Sequence, residues 1–215
     1  MKLFVILLAI SAMAFASGTL RGGPGGVANY TLPATDAEMD SYAYSAGEQM
    51  DNIGASFTDY ATIDDYNGPD GELLTYTMWG VTTQTAPTAL EIMVVADASG
   101  APSGAPTSQD SYSATVSDTG MTYGSYQIWL AVVDCSAAPI ALAAPIWVST
   151  HRNDGSNWYP IGGTTVTGTE GYRTLAAGWA WEPFSNSLVA GDLFKVLDGN
   201  VSLERNTWAG IKNMF

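Results

Sequence analysis

Glu72–Thr82 reads ELLTYTMWGVT, Ala89–Ala96 reads ALEIMVVA and Tyr126–Val133 reads YQIWLAVV. Each is a short run of β-branched, aromatic and aliphatic residues bounded by turn formers, and none shows the three-to-four-residue spacing of an amphipathic helix. Outward from these three the pattern repeats. Tyr112 to Ser117 (YSATVS), Ile146 to Thr150 (IWVST), Trp158 to Ile161, Trp179 to Phe184 and Leu193 to Leu197 (LFKVL) are further strand candidates. Between them lie Asn67-Gly68-Pro69-Asp70-Gly71, Asp97-Ala98-Ser99-Gly100, Asp118-Thr119-Gly120 and Asn153-Asp154-Gly155. Their Asn, Asp and Gly residues close turns by side-chain-to-backbone bonds or by adopting positive φ. Ala98 to Thr107 contains SGAP twice, which is loop composition. Short strands at this spacing predict an all-β chain, an antiparallel β-sandwich of jelly-roll or Ig-like type.

Composition sets the outer bounds. The 215 residues suffice for one well-cored domain. Acidic residues outnumber basic ones 21 to 7, and from Gly22 to His151 there is no Lys or Arg at all. Phosphate binding needs clustered Lys and Arg, so nucleic acid is excluded as a partner class. Ten of the acidic residues fall between Asp36 and Glu72.

The chain opens with Met1-Lys2, an apolar Leu3 to Ile10 (LFVILLAI) and Ala14-Phe15-Ala16, the order of a secretory signal peptide over residues 1–16. The apolar run is shorter than the roughly 20 residues that span a bilayer. The expected product is therefore secreted, extracellular or at the cell surface, with no transmembrane segment after cleavage. Residues 17–41 are expected to be a flexible, Gly/Pro-rich lead-in, residues 42–200 the β-sandwich domain, and residues 201–215 a C-terminal tail. In that tail Thr207 is a candidate N-cap, and Trp208, Ile211 and Phe215 are spaced to share one face of a short helix. Cys135 is the only cysteine and follows a strand-like run, so it reads as a small buried hydrophobe.

One ordered set of motifs runs through the chain. Asp51-Asn52 comes first, then Trp79-Gly80, then Asp97-x-x-Gly100-x-Pro102. Trp147-x-Ser149 precedes Gly155-Ser156-x-Trp158, and Asp192-Leu193-Phe194-Lys195-Val196-Leu197-Asp198-Gly199 closes the series. From about Gln49 to Gly199 this order resembles a β-sandwich module of secreted and surface proteins of environmental bacteria. In those proteins the module often precedes a C-terminal sorting or anchoring tail. The ending Thr207-Trp208-x-x-Ile211-Lys212-x-x-Phe215 resembles such tails. The resemblance implies a fold and a location, and no defined activity.

Catalytic signatures are sparse. There is no G-x-S-x-G, and the one histidine, His151, cannot supply a zinc ligand set with one cysteine. Glycoside hydrolysis needs two carboxylates, and Glu182, flanked by Trp179, Trp181 and Phe184, is the residue to inspect first. Calcium is the better inorganic candidate. Asp64, Asp65, Asn67, Asp70 and Glu72 crowd oxygen donors into one turn, although Pro69 breaks the EF-hand spacing. Two aromatic pairs, Trp158 with Tyr159 and Trp179 with Trp181, are candidates for an exposed platform that stacks on sugar rings, against the alternative that they are core. The sequence thus favours a non-catalytic secreted or cell-surface structural protein that self-assembles. A carbohydrate-binding or calcium-dependent adhesion module of extracellular polysaccharide is the alternative, and a glycoside hydrolase a more distant one.

Overall fold

The computed structural model describes residues 24–26, 28–33, 38–44, 50–52, 60–152, 154, 156–174, 179–186 and 190–201. The stretch expected to be a signal peptide (1–16) lies outside the described residues, and so does the tail beyond residue 201 with its expected helix. Fourteen strands follow in order. The first five are β1 (Pro24–Gly26), β2 (Glu38–Tyr42), β3 (Met50–Asn52), β4 (Thr62–Tyr66) and β5 (Gly71–Val81). Then come β6 (Ala89–Asp97), β7 (Pro102–Tyr123), β8 (Tyr126–Asp134), β9 (Ile140–Leu142) and β10 (Ile146–His151). The last are β11 (Tyr159–Gly163), β12 (Tyr172–Thr174), β13 (Trp181–Pro183) and β14 (Lys195–Val201). The only helical element among the described residues is one 3-10 turn at Phe184–Asn186, and no helix is long and apolar enough to cross a membrane.

The fold is nearly all β and every pairing is antiparallel. Hydrogen-bonded neighbours run β13-β12-β4-β10-β6-β7-β8-β5-β11-β3, with β14 joining β5 to β2. The turns use the expected chemistry. Asp97 Oδ2 accepts from the Gly100 amide at 3.1 Å in the β6–β7 loop. Gly124, at φ +61°, opens the two-residue turn between Tyr123 and Tyr126. Asp118-Thr119-Gly120 behaves differently from the turn expected there. It forms a bulge inside β7, where the register with β8 shifts and Thr119 Oγ1 donates to the Ile128 carbonyl at 2.7 Å. A side chain that bonds the neighbouring strand keeps β7 running where a turn would end it.

Apolar side chains cover both faces of the curled sheet. Its inner face buries Tyr76, Met78, Leu90, Ile92, Ala131, Val133 and Leu197, together with Trp158 and Cys135. On the outer face Trp79, Val81, Ile128, Leu130 and Phe194 form a second cluster, roofed by Tyr30, Tyr42 and Tyr44. A third, around Ile63, Val95 and Trp147, is roofed by Tyr172, Trp179 and Trp181. Strands covered on both sides lose the apolar/polar alternation, which is why β4 and β10 are buried almost throughout.

The sheet curls until β4 faces β14 and β2. At Asp64–Tyr66 one edge of β4 pairs with β10. Across the other, Lys195 of β14 donates to the Asp65 carbonyl and Leu193 N–H donates to Asp64 Oδ2 at 3.1 Å. This seam is joined by charged side chains and no strand ladder.

Of residues 17–41, expected to form a flexible lead-in, 24–26 are strand β1 and 38–41 belong to β2, Glu38–Tyr42. β1 lies on β7 with Pro24 opposite Tyr123 and Gly26 opposite Met121, and Asn29 N–H donates to the Thr119 carbonyl at 2.7 Å. Glycine is required at Gly26: its φ is +78°, and a Cβ there would strike the Gly120 carbonyl. Tyr30 then meets Trp79 edge-on, ring centroids 5.6 Å apart.

Candidate functional site

Two features stand out: the acidic seam and the edge of β7. At the seam, β4 supplies Asp64 and Asp65, β2 supplies Asp40, the approach to β14 supplies Asp192, and β14 itself supplies Lys195. They line a cavity of about 220 Å³ with Asn67, Thr167 and Gly168. Lys195 Nζ lies 3.0 Å from Asp64 Oδ2 and 3.3 Å from Asp40 Oδ2, and its side chain is only 5% exposed. Asp65 Oδ2 accepts from Asn67 Nδ2 at 2.6 Å and from the Thr169 amide at 2.8 Å. Asp192 Oδ2 accepts from the Thr167 amide, whereas its Oδ1 is buried without a partner.

Four carboxylates around one ammonium leave the seam short of positive charge. Burial, opposed by Lys195, pushes the Asp64 carboxyl up to about 6. Burial and the neighbouring Asp64 charge push Asp192 up to about 8. Asp65 is raised as well, chiefly by burial. Lys195 moves the other way from an isolated buried amine: the carboxylates of Asp64 and Asp40 outweigh its desolvation and raise it.

The seam divides the five calcium candidates. Asp64, Asp65 and Asn67 meet there, while Asp70 and Glu72 are exposed beyond the turn, on the β5 side. Among the described residues no group of three or more His, Cys, Asp or Glu is placed to hold a metal ion. The position between Asp64 and Asp40 is taken by the Lys195 ammonium. Glu72 faces outward because its β5 neighbours Gly71 and Leu73 turn toward Met39 and the inner core.

The four aromatic candidates are also divided. Trp158 is fully buried over Gly80, where any Cβ would strike its ring, and Tyr159 is 8% exposed within the outer cluster. Neither ring is free to stack on a sugar. Trp158 follows a polar turn, but it enters the sheet beside β5 and the missing Gly80 side chain makes room for it. Trp179 and Trp181 remain part-exposed and stack on each other, centroids 5.9 Å apart and planes 29° apart. Trp181 Nε1 donates to the Gly104 carbonyl at 2.9 Å.

Other titratable groups are engaged internally. Glu182 Oε1 accepts from Arg173 Nε at 2.9 Å across the β12–β13 pair, so this carboxylate is neutralised by its neighbour. Arg152 grips Asp154 with Nε and Nη2 at 2.8 and 2.9 Å. His151 Nδ1 lies 2.8 Å from Glu91 Oε2, directly opposite on β6, and its ring is buried. Cys135 is buried, with its thiol pushed up to about 12, which leaves it inert as a nucleophile.

The second feature is β7. Its 22 residues overhang both neighbours: β6 pairs with 102–113 and β8 with 113–123. Among the described residues no strand takes the β8-side edge of 108–112 or the β6-side edge of 115–118, and β1 fills 121–123. Ser111, Ser113, Thr115 and Ser117 stand exposed along this strand, and its charges are limited to Asp110 and Asp118. Edge strands usually carry Lys, Pro or charge that discourages pairing with another chain. β7 has no Lys, its prolines (Pro102 and Pro106) lie outside the two open stretches, and each of those stretches carries a single Asp.

Asp40, Asp192 and Lys195 were not singled out by sequence as a site. Lys195 carried the one usable signal, as the sole Lys between Lys2 and Lys212, set in the apolar run LFKVL. Compared with known proteins, the chain matches no family model, no curated protein and no solved structure.

Proposed function

We propose that this is a non-catalytic structural protein, exported to the extracellular space or the cell surface, which associates with copies of itself. The observation that carries this reading is β7: among the described residues no strand takes its β8-side edge at 108–112 or its β6-side edge at 115–118, and each stretch carries one charge, Asp110 or Asp118, among Ser, Thr and other uncharged side chains. Backbone groups in such an edge are ready to pair with an added strand. The pairing of Glu182 with Arg173, of Asp154 with Arg152 and of His151 with Glu91 supports a role without turnover. In fold terms, apolar packing between the inner faces of the curled sheet supports the jelly-roll or Ig-like sandwich. Light scattering of residues 17–215 across a concentration series, followed by electron microscopy, tests the reading. The expected result is concentration-dependent growth into ordered assemblies.

A second reading, an adhesion module for extracellular polysaccharide, is supported by the part-exposed Trp179–Trp181 stack. It expects polysaccharide retention to fall at least tenfold in Trp179→Ala at a temperature where the variant is still folded, with the melt lowered only by the lost packing over the third cluster. Equal retention by the variant and the parent rejects it.

A further inference from the structure

We propose that β1 (Pro24–Gly26), together with the Asn29 and Tyr30 contacts that follow it, is exchanged between copies, so that β1 of one chain completes the β7 edge of the next. This deepens the self-association reading and rests on it; the partner is a second copy of this chain.

The seat for the strand is specific. Three antiparallel residue pairs, the Asn29–Thr119 backbone bond and the Tyr30 ring on Trp79 hold it. Gly25 and Gly26 permit an approach that any larger residue obstructs, through Thr122 Oγ1 and the Gly120 carbonyl. The strand therefore recognises this stretch of β7 by shape as well as by hydrogen bonds.

The attachment is local. The paired stretch ends at Gly26 and Asn29, and Tyr30 is the ring that seals the outer cluster. Seven residues, 31–37, then lead to β2 and can span up to roughly 24 Å when extended. A neighbour's identical edge offers the same pairs, the same glycine clearance and the same Trp79 face, so exchange preserves every contact while linking two chains. The β6-side edge at 115–118, which no strand takes among the described residues, lies next to the seat on the same side of β7. A strand arriving from another copy has room to lengthen its ladder there. Each chain is then both donor and acceptor. Such a head-to-tail contact need not close, which is the geometry of a filament.

Position 25 gives a direct test, because a Cβ there would lie 2.9 Å from Thr122 Oγ1, on the same face. Chains carrying Gly25→Cys and, with a size tag, Thr122→Cys are mixed, brought to assembling concentration and mildly oxidised. Cys135 is buried and does not compete. The expected result is a disulfide-linked dimer holding one chain of each kind, absent when Gly25→Ser replaces Gly25→Cys. The double variant Gly25→Cys/Thr122→Cys, oxidised while dilute, is expected to close within one chain. Assembly without the mixed dimer, while the dilute double variant closes, overturns strand exchange and leaves self-association standing. No assembly at any concentration overturns the functional reading and the exchange with it. Failure of the dilute double variant to close overturns the seat itself.

Discussion

Replacing Lys195 with Met is expected to cost about 3–5 kcal/mol of stability, the range for stripping one partner from a buried ion pair. The ammonium is the positive group at a seam that holds Asp40, Asp64, Asp65 and Asp192. Its removal leaves the Asp64 carboxyl fully buried beside three others, with Leu193 N–H and Asp65 N–H as its remaining donors. The Asp65 carbonyl loses its bond as well. Met fills much of the same volume, so the loss reports charge and hydrogen bonding more than packing. Adding Asp64→Asn to Lys195→Met should recover part of the loss, since the double variant no longer buries that unpaired charge. Urea denaturation of the wild type and the three variants measures all four corners of this cycle. A loss below about 1 kcal/mol for Lys195→Met contradicts the seam as the closure of the sheet.

The same cluster makes stability fall as pH rises. Asp64 and Asp192 take up protons near 6 and 8 in the folded protein, above the ordinary carboxylate value near 3.8. Raised pKa values mean that the folded chain binds these protons more tightly than the unfolded one. Their stabilising effect is complete below pH of about 4 and is lost as pH climbs through 6 and then 8. Lys195 is raised above its ordinary 10.5, so its contribution persists across this whole window. Asp134 and Asp154 are lowered, Asp134 by Ser136 and Asp154 by Arg152, so their contribution is present above pH of about 4 and disappears only below it. Between pH 5 and 9 the melting temperature should drop on the order of 10 °C. Asp192→Asn cannot ionise. It should flatten the step near pH 8, keep the step near pH 6, and melt above the wild type at pH 9. A wild-type melt that is flat from pH 5 to 9, or an Asp192→Asn curve parallel to it, contradicts this account of the seam.

The strands were more legible than the site. Glu72–Thr82, Ala89–Ala96, Tyr126–Val133 and Ile146–Thr150 correspond within a residue to β5, β6, β8 and β10, because β-branched and aromatic runs bounded by Gly and Asp turns are local signals. The bulge at Asp118-Thr119-Gly120 was misread as a turn, since its composition suits both and only the Thr119–Ile128 bond across the sheet separates them. Asp64 and Asp65 were recognisable as crowded oxygen donors. What surrounds them was not: Lys195 lies 130 positions further along the chain, and only curling of the sheet brings the two together. Trp158 followed the same logic. Beside a polar turn it was open between an exposed platform and the core, and its place in the core depends on the missing side chain of Gly80, a residue on another strand. Beyond those strands, the pairing of Gly25 and Gly26 with β7 was equally out of reach. A glycine run is ambiguous between a loose linker and a strand that needs close approach until its neighbour is known.

The claim at the centre of this account is that the chain associates through the edge of β7. Light scattering on residues 17–215 over a concentration series, with electron microscopy of the same samples, tests it most directly. Mass should rise with concentration, and filaments or sheets should appear. A monodisperse monomer at millimolar concentration contradicts it.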